Sequence, residues 1–332
     1  MPFGIFKSRP REFTKIFFAT DLHGSMVTFR KFAQAPVFYG AQVLVMGGDV
    51  SGKVLVPIIK NADGSRRLTV QGTQMTVRTP EERKRMEEKL SALGQYWVDL
   101  EEGEFEQIQH DEARKNTLFQ ERVVERFQAW LDELEARLAP TGVRCYITGG
   151  NDDEPEVFEA FRRRVYGHVI YAEGRALQIG QWHTMVSVGL SNRTPWDTPR
   201  EVEEDELARV IAQSVEALDD FRNVIFNFHC PPVDSTLDLC PKLDTSVYPP
   251  RPIMQAGQQI MTPAGSTAVR EAIERHQPLL GLHGHIHESR AVAKLGRTTC
   301  INPGSEYAET VLRGCIVNVG DGEVVSYQMT SG

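Results

Sequence analysis

Three histidines at alternate positions, His283, His285 and His287, close the stretch 279–289 (LLGLHGHIHES) and constrain the chain more than any other feature. The apolar and glycine residues before them read as a short buried strand that runs into a turn. Imidazoles crowded at the carboxyl edge of a strand are costly to bury unless something binds them. Neutral His is a common ligand for zinc, manganese, iron and nickel, so a metal is the natural occupant. A lone His is most simply a satisfied core or surface residue; three in so short a span beside Gly favour the metal. The remaining ligands must then come from elsewhere in the chain.

Other strand ends supply them. The run Lys15–Thr20 reads as a strand and leads at once into Asp21-Leu22-His23-Gly24. Alternate residues of a strand share a face, so Asp21 and His23 can reach one ion. Taken alone, Asp-x-His is weak, because Asp often only caps the following helix, here expected over Ser25–Tyr39. The run Gln42–Met46 precedes Gly47-Gly48-Asp49, where two glycines allow a sharp turn and a close approach of the Asp49 carboxylate. Strand-like Val143–Thr148 leads into Gly149-Gly150-Asn151-Asp152-Asp153, and Asn223–Phe228 ends at His229. Five β-type runs thus end in metal-type ligands: Asp21/His23, Asp49, Asn151, His229 and His285/His287. Ligands gather at the carboxyl ends of strands in α/β sheets, which makes chance a poor explanation of all five.

Between the second and third of these runs, residues 51–140 break the rhythm. Lys53–Val77 reads as a β-rich excursion, and Thr79-Pro80-Glu81-Glu82 as a helix start. One apolar stripe runs through Met86, Leu90, Leu93 and Trp97, and a second through Phe119, Val123, Phe127, Leu131, Leu134 and Leu138. The reading is a mainly helical insertion, a hairpin, inside a single domain of residues 1–332; it either covers the site or forms a contact between copies. Further on, helices are expected over Pro155–Val165, from Thr198, and over Ser266–His276, with a long loop over residues 233–265.

A chain of 332 residues with 25% charged side chains is an ordinary soluble globular composition, long enough for one large α/β domain or two smaller ones. The net charge of −8 argues against broad capture of nucleic acid or of anionic membrane. Five cysteines at irregular spacing do not form a disulfide framework, which fits a reducing cytoplasm. The N-terminus has no apolar segment of signal-peptide type, and no run of about eighteen apolar residues predicts a membrane span.

The order Asp-x-His, Gly-Asp, Gly-Asn, His, Gly-His-x-His resembles the calcineurin-like metallophosphoesterases, over residues 15 to about 305 with 51–140 outside the match. That resemblance implies a β-sandwich flanked by helices, four layers α/β/β/α, holding two divalent ions. It implies Asp21, His23 and His287 on the first ion, Asn151, His229 and His285 on the second, and Asp49 bridging them. His285/His287 is favoured over His283/His285 because Gly284 precedes the former pair and Leu282 the latter, leaving His283 as a supporting neighbour or a pocket-facing side chain. Oxygen and imidazole ligands without Cys suit Mn²⁺, Fe²⁺/Fe³⁺, Zn²⁺ or Ni²⁺. The implied reaction is hydrolysis of a small phosphoester, a diester before a monoester, by a hydroxide bridging the ions. The alternatives are a scaffold that kept the fold without the activity, disfavoured by the complete ligand set, and a nuclease, disfavoured by the acidic balance.

The chain departs from the resemblance at one point. The family often has Gly-Asn-His, whereas Asp152 follows Asn151 here. Asp152 is either a replacement acid or an N-cap for the helix at Pro155. Arg193 and Trp196, in a polar loop, are candidates for pairing with phosphate and stacking on a leaving group, or are plain surface residues. Asn302-Pro303-Gly304-Ser305 reads as a turn shaping the floor of the site.

Overall fold

In the computed structural model residues 12–247 and 249–332 are described. The expectation about a signal segment therefore lies outside the described residues.

Strand β1 (Thr14–Ala19) is buried along nearly its whole length, and its side chains alternate between two cores. Ile16 and Phe18 enter one, Phe17 and Ala19 the other. A strand hydrophobic on both faces needs a covering layer on each side. Strand β2 (Val43–Gly47) repeats the pattern, with Val43 and Val45 in the first core and Leu44 and Met46 in the second. Between them lie α1 (Met26–Ala33) and α2 (Ala35–Tyr39). One helix was expected there; Pro36 lacks the N–H that would continue it and splits the segment in two.

The segment 51–140 carries more strand than expected. Strands β3 (Leu55–Lys60), β4 (Arg66–Val70) and β5 (Thr73–Val77) come first, then α3 (Pro80–Ala92) and β6 (Tyr96–Glu101). They form a four-stranded sheet of order β5-β4-β3-β6 with a small core around Val56, Ile58, Leu68, Val70 and Leu90. The helical stripe drawn through Trp97 is corrected: α3 stops at Ala92, Gly94 turns the chain with φ of 71°, and Trp97 lies in β6 beside β3. After α4 (Glu102–Ile108) comes α5 (Glu112–Leu138), whose eight buried residues include Val123, Phe127, Trp130, Leu131, Leu134 and Leu138. It is no solvated appendage. Its Trp130 ring stacks on Phe29 of α1 with centroids 4.2 Å apart, and the two helices cover one face of the β1 sheet.

The rest of the chain supplies β7 (Arg144–Thr148), α6 (Ala160–Arg163), β8 (Val169–Tyr171), β9 (Ala176–Ile179), β10 (His183–Val188) and α7 (Glu204–Val215). Then follow β11 (Val224–Phe228), α8 (Thr267–His276), β12 (Leu280–Leu282), β13 (Ala291–Leu295), β14 (Thr298–Asn302), β15 (Arg313–Gly320) and β16 (Glu323–Ser331). The helix expected from Thr198 starts later, at Glu204, and the expected loop over 233–265 carries three short antiparallel ribbons.

Two six-stranded sheets result, with orders β16-β15-β1-β2-β7-β8 and β13-β14-β12-β11-β10-β9. Ile16, Phe18, Val45 and Tyr146 of the first meet Met185, Ile225, Leu282 and Ile301 of the second in a shared core. On the far face of the second sheet, Leu207 and Ile211 of α7 and Val269 and Ile273 of α8 pack on Phe226 and Phe228. The architecture is mixed α/β, with helices outside two stacked sheets. Strands β1, β2 and β7 are parallel in one sheet and β11 and β12 in the other, and the side chains beyond their carboxyl ends converge. Among the described residues no helix is long and apolar enough to cross a membrane.

Candidate metal centre

The backbone at this edge adopts conformations that ordinary residues avoid. Asp21, His23, Asp49 and His285 all have positive φ, of 55°, 43°, 49° and 67°. Left-handed backbone at non-glycine residues is unfavourable and collects where surrounding structure enforces it for a purpose. Here the enforcement is visible. Asp21 N–H donates to Gly48 O and His23 N–H to Asp49 O, which ties the β1 loop to the β2 loop. Both oxygens of Asp21 accept from His285 N–H at 3.2 Å, which ties in the histidine stretch. Glycines provide the room: a Cβ on Gly150 would collide with Asp49, and one on Gly284 with Asp21.

Two groups of ligand atoms face each other across Asp49. In one, His23 Nε2 and His287 Nε2 point at each other 3.1 Å apart, and Asp21 Oδ1 lies 3.4 Å from the His287 nitrogen. Asp21, His23, Asp49 and His287 each offer a ligand atom within 4.8 Å of the others, a set that could hold a metal ion. In the other, Asn151 Oδ1 lies 3.1 Å from His229 Nε2 and 2.6 Å from His285 Nδ1. Asp49 Oδ2 stands between the groups, 3.6 Å from His23 Nε2 and 3.5 Å from His229 Nε2. Ring nitrogens and oxygens crowded this closely must share protons among themselves, and a cation relieves that crowding.

Supporting hydrogen bonds aim these atoms. His229 Nδ1 lies 2.9 Å from the carbonyl of Gly47, so it must carry the proton and leave Nε2 as the free donor of electrons. Asn151 Nδ2 donates to Thr198 Oγ1 at 2.8 Å, which fixes the amide so that its oxygen faces the histidines. Asn302 Nδ2, buried, donates to the carbonyls of Gly284 and Ile286 and so shapes the loop that carries His285 and His287. Ser305 Oγ donates to Asp21 O at 2.7 Å and so ties the 302–305 turn to the Asp21 backbone.

The electrostatics point the same way. Burial pushes His23 down to about 3 and, helped by the His229 charge, His285 down to about 4, so both imidazoles are neutral, the form that can bind a metal. Burial also opposes charge on His229, yet Asp49 and Asp21 outweigh it and raise this imidazole to about 10. Asp49, against the cost of burial, is held well below the usual carboxylate range by His229 and His23. With only protein atoms present, the buried carboxylates Asp49 and Asp21 are balanced by His229 and His287, both raised by these neighbours; a divalent cation supplies that charge better. The donor set fits a metal in chemistry as well as in geometry.

All seven expected ligands are therefore brought together, and the other candidates fare differently. Asp152 donates its N–H to Asp49 Oδ1 at 3.0 Å, and its carboxylate is paired with Lys53. It does not cap the helix at Pro155, where Glu154 takes the N-cap place, so that alternative is corrected. His283 is fully buried, its Nδ1 2.9 Å from Phe228 O, and it touches no open space; the pocket-facing option is corrected to that of a supporting neighbour. Arg193 is tied to Asp197 and Glu203, and Trp196 is 55% exposed on the same loop, which bears on the site through Thr198 and not through these two side chains. Sequence reasoning missed Asp153, Thr198, Lys53 and Tyr307. Tyr307 sets its ring centroid 4.6 Å from that of His23.

The centre opens at His287, whose side chain is 30% exposed, onto a recess of about 430 Å³ that includes Ser305, Tyr307 and Arg313. A larger cavity of about 810 Å³, lined by Thr14, Val43 and Arg144, lies at the opposite ends of the strands and contains none of the ligands.

No family model matches the chain. A stretch of 120 residues is 31% identical to the uncharacterized protein MJ1162 of Methanocaldococcus jannaschii; it covers 36% of this chain and 46% of that protein. The chain thus spans under half the length of the curated relative that it matches. One solved crystal structure superposes over 97% of this chain and 99% of its own, with a TM-score of 0.56 and 13% identity. The crystal structure of TT1561 of Thermus thermophilus does so over 96% and 99%, with a TM-score of 0.51 and 12% identity. At such identities both speak for the fold alone.

Proposed function

We propose that the chain is a calcineurin-like metallophosphoesterase that holds two divalent ions and hydrolyses small phosphoesters. The observation that carries this reading is one Asp49 oxygen standing between two triads of converging ligand atoms, Asp21/His23/His287 and Asn151/His229/His285. Mn²⁺, iron, Zn²⁺ and Ni²⁺ all suit imidazole mixed with oxygen ligands. Two such ions would lower the pKa of a water and neutralise charge gathering on the phosphoryl oxygens.

The chain's own groups do the rest. Asp49 keeps the triads in register, and Asn151, held by Thr198, turns its oxygen inward. His229 keeps its proton on Nδ1 through Gly47. Burial, and then the Asp49 charge, raise the Asp152 carboxyl to about 7 against the pull of Lys53. A diester is the preferred substrate, because Arg200 is already paired with Glu173 and Arg313 with Glu306. That leaves less positive charge for the second ionisation of a monoester. Five free cysteines support a reducing compartment, for which we propose the cytoplasm.

The test is turnover of bis-p-nitrophenyl phosphate and p-nitrophenyl phosphate by protein loaded with Mn²⁺. The reading expects metal-dependent cleavage, faster on the diester, with a fall of at least a thousandfold in Asp49→Ala. Full metal loading with no cleavage of either ester would favour a scaffold that keeps the centre without the reaction.

A further inference from the structure

A recess of about 150 Å³ adjoins the metal centre, with His23 at its inner end. Cavities of about this volume take one six-membered ring. Its walls come mostly from the 51–140 segment: Lys53 and Val54, Gln71 at the β4–β5 turn, and Leu93 and Gln95 after α3, faced by Tyr307.

These walls are built and fixed. Gln71 and Gly72 both have positive φ, 49° and 78°, as a tight two-residue hairpin turn requires. Gly24, Gly52 and Gly94 meet so closely that a Cβ on any of them would strike neighbouring backbone. Gly52 N–H donates to Tyr96 Oη at 2.9 Å, and the Arg126 guanidinium lies over the rings of Tyr96 and Trp97. The chemistry of the walls is mixed. Val54 leaves an apolar surface 45% exposed, Gln95 Oε1 is a buried acceptor with no donor, and the half-exposed Lys53 ammonium stands at the end nearest the ligands.

We propose that this recess is the leaving-group subsite, that it takes a single ring-sized phenol or sugar-like alcohol with a hydrogen-bond donor, and that Lys53 holds the departing oxygen. This rests on the phosphoesterase reading. When water adds to phosphorus, the P–O bond to the ring breaks and its electron pair goes to the ring's oxygen. The Lys53 ammonium stabilises that charge, the proton lost by water passes to solvent, and the alkoxide or phenoxide takes one up from solvent.

The first test is calorimetric titration of the Mn²⁺-loaded protein with phenylphosphonate and methylphosphonate, whose P–C bonds do not hydrolyse. Phenylphosphonate is expected to bind at least tenfold more tightly. Gln71→Trp, or Val54→Trp, should bring the two within twofold by weakening only the phenyl compound. Kinetically, Lys53→Met should slow a phenyl ester at least tenfold more than a p-nitrophenyl ester, whose leaving group needs little help. Equal binding of the two phosphonates, or equal loss of both in the tryptophan variants, would overturn the subsite. Ring preference without turnover of any ester would retire the phosphoesterase reading instead.

Discussion

Asp153 touches no ligand atom, yet it decides where the ligands stand. Its fully buried carboxylate accepts from the N–H groups of Val50, Ser51 and Gly150 and from Ser51 Oγ, clamping the loops that carry Asp49 and Asn151. Asp153→Ala strands three backbone donors, and a stranded buried group costs about 1–3 kcal/mol. Allowing for water entering the space, we expect a loss of about 3–5 kcal/mol, read from the urea midpoint; a shift near zero would show the clamp to be dispensable. His183 makes a pH prediction. It is fully buried, and burial, which disfavours the charged form, holds its pKa below the ordinary value, with Nε2 3.0 Å from Gly320 O. The unfolded chain binds this proton near pH 6.5, so folding stability falls as pH drops through that value. His183→Gln should remove part of that loss, measured as unfolding free energy at pH 7.5 and 5.5; an identical pH slope would contradict the assignment.

At the scale of elements, the 51–140 segment reaches the centre at several points, and one of them is the turn after α3, which presses on the backbone of His23. Gly94, after α3, has φ of 71° and no room for a Cβ beneath the carbonyl of His23. Gly72, in the β4–β5 turn, has φ of 78° and open space around it. Gly94→Ala should weaken Mn²⁺ binding at least tenfold, whereas Gly72→Ala should cost about 1 kcal/mol of stability from backbone strain and leave metal affinity alone. Equal metal affinity in both variants would mean that the loop does not position His23. Helix α5 is tested separately: Trp130→Ala removes the ring stacked on Phe29 and should cost about 3–5 kcal/mol in unfolding free energy, while a loss under about 1 kcal/mol would show the helix to be loosely packed.

Across the whole molecule, the legible and illegible features separate by their range. The compact apolar runs of β1 and β2 and the ligands just past the strand ends are local patterns, and the register His285/His287 followed from Gly284. Illegible features depend on partners far away in sequence. Asp153 reaches residues about a hundred positions earlier, Thr198 acts through Asn151, and Lys53 has meaning only beside Asp152. Strand β6 was hidden because Trp97 also fitted the stripe of α3, and it is pairing with β3 that settles it. Among the described residues, the strands over 239–263 pair with one another, through runs of two or three residues too short to show a period. The central claim, however, rests on one atom of one residue: Asp49 Oδ2, placed between two triads from two sheets. Its most direct test is the metal content of protein reconstituted with Mn²⁺ and freed of excess ion, compared with Asp49→Ala. Two ions per chain, falling to one or none in the variant, is the predicted result; one ion per chain in the parent protein, or no change in the variant, would contradict it.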